Sequence, residues 1–123
     1  MRAIVADDSP VMAAVNARML GELGHEVVAI VHDGSEAVAK CIELKPDLAL
    51  LDIAMVPMDG EQAAREIIAQ VAPPPRIVFV TNQGRDTTRD RAKTIGAGMV
   101  VKPYERVFLE REIGRITGEE MPS

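Results

Sequence analysis

Five polar residues stand just behind short apolar runs. Asp7 and Asp8 follow Arg2–Ala6, Asp52 follows Asp47–Leu51, Thr81 follows Arg76–Val80, and Lys102 follows Gly98–Val101. Three carboxylates gathered within a few ångströms repel one another: a pair at about 4 Å and an effective dielectric near 20 costs ~4 kcal/mol. Such a cluster either takes up protons or binds a cation. An oxygen-rich, nitrogen-poor donor set suits Mg²⁺. Lys102 is a mobile point charge able to meet an anion, and Thr81 offers a hydroxyl donor. An acidic metal site flanked by an ammonium and a hydroxyl suits a phosphoryl group, whose oxygens the metal and the lysine would balance. A carboxylate inside that site can act as nucleophile and form an acyl phosphate.

These residues meet only if the runs before them lie side by side. A fifth run, His25–Val31, has the same character: Val, Ile and Ala without strict in–out alternation, as in strands covered on both faces of a parallel sheet. Helical punctuation fills the gaps. Ser9-Pro10 reads as an N-cap and first position, with Val11, Val15 and Met19 on one face and Gly24 as the stop. Ser35 is expected to cap a second helix with Val38, Cys41 and Ile42 inward, ending before Pro46. Asp59 caps a third, with Ala63, Ala64, Ile67, Ile68 and Val71 inward, and Pro73-Pro74-Pro75 forbids its continuation. A fourth, weakly amphipathic, runs from Arg85 to Ile95. A fifth follows Pro103 with Val107, Leu109, Ile113 and Ile116 as its apolar positions. Strands alternating with helices predict an α/β fold: a doubly wound (βα)5 unit with a five-stranded parallel sheet. Ligands of such sheets bind at the carboxyl ends of the strands, the rim where the five polar residues gather.

The chain has 123 residues, which predicts one domain over residues 1–118 and a short polar tail over 119–123. Composition excludes several classes. At 47% hydrophobic and 27% charged it matches a globular domain, and one cysteine, Cys41, permits no internal disulfide. No apolar run approaches a membrane span, and the first acid comes too early for a signal peptide, so the expected compartment is the cytoplasm. Net charge is −5, with −7 in residues 1–62 and +2 in residues 63–123, and aromatics make up 2%. No basic field or stacking aromatics argue for nucleic acid. His25 and His32 flank the second strand and read as surface residues away from the acids.

The motifs Ile4-Val5-Ala6-Asp7-Asp8-Ser9, Asp47-Leu48-Ala49-Leu50-Leu51-Asp52, Met58-Asp59-Gly60, Val78-Phe79-Val80-Thr81 and Gly96-Ala97-Gly98-Met99-Val100-Val101-Lys102-Pro103 occur in this order. Together they resemble the receiver domain of two-component response regulators, including chemotaxis-type single-domain members, over roughly residues 2–117. The resemblance implies a flavodoxin-like fold and a set of roles. Asp52 would be the phosphoacceptor. Asp8 and Asp52 would bind Mg²⁺ or Mn²⁺ directly, Asp7 mainly through water, and Ala54 through its backbone carbonyl. Lys102 and Thr81 would contact the phosphoryl group. The donor would be a histidine kinase or a histidine phosphotransfer protein, and a downstream protein would dock on the face formed by helix 4, strand 5 and helix 5. The implied protein is a monomer or a phosphorylation-dependent dimer, with no chemistry beyond its own phosphorylation and dephosphorylation. No segment after the fifth helix is long enough for an output domain, so a single-domain regulator is expected.

Several positions depart from the family pattern. Met99 stands where an aromatic or histidine switch residue is usual, and Tyr104 matches a different, commonly aromatic position at the output face. Asn82 replaces a small residue after Thr81, so access to the site is expected to narrow. Ala54 and Gln83 occupy positions that tune dephosphorylation. Val56 stands where proline is common, with Pro57 one later. The alternative reading is a receiver-like scaffold that binds its partner whatever its phosphorylation state. A phosphatase of the Asp-x-Asp-x-Thr type and a flavin or nucleotide binder fit less well, because neither that motif nor a glycine-rich phosphate loop is present.

Overall fold

The computed structural model describes residues 1–82, 86–102 and 104–118. Strand and helix alternate: β1 Arg2–Ala6, α1 Pro10–Glu22, β2 Glu26–Val31, α2 Gly34–Leu44, β3 Leu48–Asp52, α3 Gly60–Gln70, β4 Arg76–Thr81, α4 Asp86–Thr94, β5 Gly98–Val101 and α5 Arg106–Thr117. All strand pairings are parallel, in the order β2-β1-β3-β4-β5. This is the expected doubly wound, flavodoxin-like sheet. Its order reverses beside β1, so the carboxyl ends of β1 and β3 flank the switch point.

The pleat sends alternate side chains to opposite faces, and both faces are covered. Ile4, Ala6, Leu51 and Phe79 pack with α2 and α3, and with Ala92 of α4. Val5, Leu50, Val80 and Val100 pack with Ala13 and Leu20 of α1 and with Leu109 and Ile113 of α5. Each fully buried large aliphatic or aromatic side chain contributes about 1.5–3 kcal/mol. α4 is the exception, with Ala92 buried and Ile95 packed just beyond its end.

Caps fix where the helices begin. The Ser9 hydroxyl accepts from the Met12 N–H at 3.3 Å, and Pro10 follows. The Asp59 carboxylate accepts from the Gln62 N–H at 2.8 Å. The second helix corrects an expectation: its cap is Asp33, which accepts from the Glu36 N–H at 2.9 Å. Ser35 instead donates its hydroxyl to the same carboxylate at 2.6 Å.

The face of α1 is a second correction. Val11 and Val15 point to solvent and Met19 is half-buried, whereas Ala13, Asn16 and Leu20 face the sheet. The two sets have helical spacing on nearly opposite sides of the helix. Small Ala13 lets the helix sit close, and Asn16 is inside because a phenol meets it. Ile42, Ile68 and Val107 are likewise more exposed than expected.

Candidate functional site

β1 delivers Asp7, whose backbone N–H donates to the Val31 carbonyl at 3.1 Å and so continues the β1–β2 ladder for one more residue. The Ser9 N–H donates to the Asp7 carboxylate at 2.9 Å, turning the chain into α1. His32 Nδ1 lies 3.0 Å from the Asp7 carbonyl oxygen. A carbonyl oxygen only accepts, so this nitrogen carries the proton. His32 is exposed, as expected, and meets the backbone of Asp7 without lining the cleft above the acids.

Asp52 ends β3, and the Ala54 N–H donates to its Oδ1 at 3.1 Å. The turn beyond is compact because α3 begins against it. The Gly60 N–H donates to the Ile53 carbonyl at 3.0 Å, and a β-carbon on Gly60 would lie 2.4 Å from the Asp52 carbonyl oxygen. That is the physical reason for glycine in Met58-Asp59-Gly60. Val56, 74% exposed, and the cis-linked Pro57 form the outer part of this turn.

Thr81 ends β4 and Lys102 follows β5, its N–H donating to the Thr81 carbonyl at 2.7 Å. The Lys102 ammonium lies 3.3 Å from Asp7 Oδ2 and 3.2 Å from Asp52 Oδ2. Asp7, Asp8 and Asp52 each offer a carboxylate oxygen within 4.8 Å of the others. Asp7 and Asp52 are buried, while Asp8 is exposed. The cleft above them, about 580 Å³, is also bordered by Ala54, Asn82 and Lys102.

Burial and charge together set the titration of Asp7 and Lys102. Burial raises the Asp7 carboxyl above its ordinary range, and the Asp52 charge adds to this; the Ser9 N–H and Lys102 act in the opposite direction. Burial alone would lower Lys102, but Asp52 and Asp7 outweigh it and hold the ammonium above its usual value. With every group ionised, three carboxylates and one ammonium leave two negative charges unbalanced. The all-oxygen donor set and that residual charge both fit one small divalent cation.

The structure thus brings together Asp7, Asp8, Asp52, Ala54, Asn82 and Lys102, with Thr81 on the adjoining strand end. Gln83 lies outside the described residues, as do Pro103 and the tail over 119–123. Met99 and Tyr104 are not at the acids. Met99 is buried, and both residues border a separate cavity of about 350 Å³ between β5 and α5. Tyr104 donates its hydroxyl to Asn16. Glu112 accepts the Met99 N–H at 2.7 Å, closing part of the edge of β5. Neither Asn16 nor Glu112 carried a sequence signal, since each is a polar residue in a helical pattern. Among the described residues no helix is long and apolar enough to cross a membrane.

The response regulator receiver domain family matches residues 3–113. Chemotaxis protein CheY of Thermotoga maritima is 32% identical over 105 residues, covering 85% of this chain and 87% of that one. A protein-glutamate methylesterase/protein-glutamine glutaminase of Haloarcula marismortui is 34% identical over 111 residues, covering 89% of this chain. The chain spans about 30% of the length of that relative. Among solved structures, the receiver domain of a Pseudomonas aeruginosa sensor histidine kinase, with magnesium coordinated in its active-site cleft, superposes with a TM-score of 0.81. It is 30% identical over 95% of this chain and 97% of that one.

Proposed function

This chain belongs to the response regulator receiver domain family, and from that premise we propose that Asp52 accepts a phosphoryl group in a two-component relay. The observation that carries the reading is the position of the Asp52 carboxylate: buried below an open cleft, 3.2 Å from an ammonium and beside two further acids.

A carboxylate oxygen of Asp52 attacks the phosphorus of a donor phosphohistidine. The phosphorus–nitrogen bond breaks, its electrons stay on the imidazole, and an aspartyl phosphate remains on the chain. Lys102 exchanges its contacts with Asp7 and Asp52 for the phosphoryl oxygens, and the Thr81 hydroxyl donates to the same group. Mg²⁺ or Mn²⁺ held by Asp8, Asp52 and the Ala54 carbonyl, with Asp7 through water, would supply positive charge beside those oxygens. The magnesium in the cleft of the Pseudomonas receiver supports this assignment. Fixed positive charge at developing phosphoryl oxygens is the main source of rate in such transfers.

The donor is a histidine kinase or a histidine phosphotransfer protein of the cytoplasm. The output is a change at the face of α4, β5 and α5, which contains the cavity bordered by Met99 and Tyr104 and is read by a protein partner or by a second copy of the chain. Asn82 and Gln83 set how readily the donor and hydrolytic water reach Asp52. The test is intact mass after incubation with acetyl phosphate and Mg²⁺. A phosphate adduct is expected on the wild type and absent from Asp52→Asn or after chelation. An adduct that survives the substitution refutes the assignment.

A further inference from the structure

We infer that the Asn16–Tyr104 hydrogen bond is a positioning device for phosphoryl transfer, setting where Lys102 stands against Asp7 and Asp52. The inference rests on the phosphoacceptor reading above. Tyr104 comes two residues after Lys102, where the chain leaves β5 for α5. Its hydroxyl donates to Oδ1 of Asn16, a residue 88 positions away in sequence and 1% exposed in the middle of α1. α1 is the helix that starts directly after Asp7 and Asp8. One hydrogen bond therefore ties the segment carrying the ammonium to the helix that begins at the acid pair. Lys102 is held on two sides: its N–H is fixed to the Thr81 carbonyl at 2.7 Å, and Tyr104 anchors the chain just beyond it.

Stability alone gives no reason for this pair. Replacing both partners of a buried neutral hydrogen bond by apolar groups of the same shape is often neutral or stabilising. Leucine at position 16 would match the surroundings set by Ala13 and Leu20. What an apolar pair lacks is direction. A hydroxyl bonded to a fixed acceptor sets the depth of the Tyr104 ring, two residues from Lys102. Burial and the Asp7 charge push the phenol well above its ordinary titration range, so it keeps its proton and remains a donor. A misplacement of about 1 Å at a reacting centre costs on the order of 10²-fold in rate.

The test compares Tyr104→Phe, Asn16→Leu and the double variant, whose apolar pair keeps the layer filled if either single variant folds poorly. Adduct formation is followed against acetyl phosphate concentration, Mg²⁺ affinity is measured by titration calorimetry, and the double variant is crystallised. The limiting rate is expected to fall about tenfold in the folded double variant, while the half-saturating donor concentration and the Mg²⁺ affinity stay within about twofold. The Lys102 ammonium is expected to leave at least one of its two carboxylates. A limiting rate within about twofold of wild type overturns the inference. So does a tenfold loss of Mg²⁺ affinity, which would place the effect at the acids, or a Lys102 still paired with both. A wild type that takes no phosphate refutes the phosphoacceptor reading instead, and the crystal structure then decides the Asn16–Tyr104 question by itself.

Discussion

Substituting Gly60 by alanine tests whether the phosphoacceptor turn is as tightly closed as the geometry requires. The added β-carbon would stand 2.4 Å from the Asp52 carbonyl oxygen and 3.0 Å from both the Asp52 carbonyl carbon and the Ile53 α-carbon. All three are backbone atoms at the end of a fully buried central strand, so no flexible side chain can yield. Overpacking of this kind costs about 1–3 kcal/mol, and the upper end applies where backbone must move. For 123 residues the unfolding entropy is roughly 0.26 kcal/mol per kelvin, so a cost of about 3 kcal/mol lowers Tm by roughly 12 °C. Gly21→Ala is the matched control. It lies within α1 with nothing within 4 Å of its added carbon, so the better helix former should raise stability by about 0.5–1 kcal/mol, or roughly 2–4 °C. Calorimetric melts of both variants supply the comparison, and the acetyl phosphate reaction of Gly60→Ala reports the displaced Asp52. A Gly60→Ala protein that melts within about 2 °C of wild type and takes phosphate at the wild-type rate refutes the close packing of α3 on the end of β3.

Two further outcomes follow from groups whose titration burial and neighbours shift. Burial pushes the Glu112 carboxyl up, but Arg115 and the Met99 N–H outweigh it and hold the group below its ordinary range. A depressed folded value means that the stabilisation is present above the unfolded value and is lost as pH falls through the folded one. Glu112→Gln should therefore melt about 4 °C lower at neutral pH, near 1 kcal/mol, with the gap closing in acid; a gap that persists to low pH contradicts this. Burial raises the Cys41 thiol to about 12, so thiol reagents should modify it after denaturation and not before. Rapid labelling of the native protein would show that α2 opens.

How much could be read in the sequence depended on the kind of signal. Parallel strands buried on both faces announce themselves as apolar runs, and all five were found within a residue of their bounds. The site was legible because each of its residues closes one run, and the sheet carries every such end to a single rim. What escaped were polar residues whose partners are remote in sequence. The face expected for α1, Val11, Val15 and Met19, left out Asn16, whose reason for burial is Tyr104. The contact of the exposed His32 with the Asp7 carbonyl was likewise not legible, because the register that makes it exists only once β1 and β2 pair. Asp33 and Ser35 compete for one cap, and the carboxylate wins because it reaches the Glu36 N–H and also accepts from the serine.

The central claim is that Asp52 carries the phosphoryl group, and reductive mapping tests it most directly. Borohydride cleaves an acyl phosphate and leaves homoserine in place of aspartate. After acetyl phosphate and Mg²⁺ treatment, peptide mass spectrometry should find homoserine at position 52 and aspartate at positions 7 and 8. Homoserine at either of those positions, or none at position 52 in a protein that has gained phosphate, would contradict it.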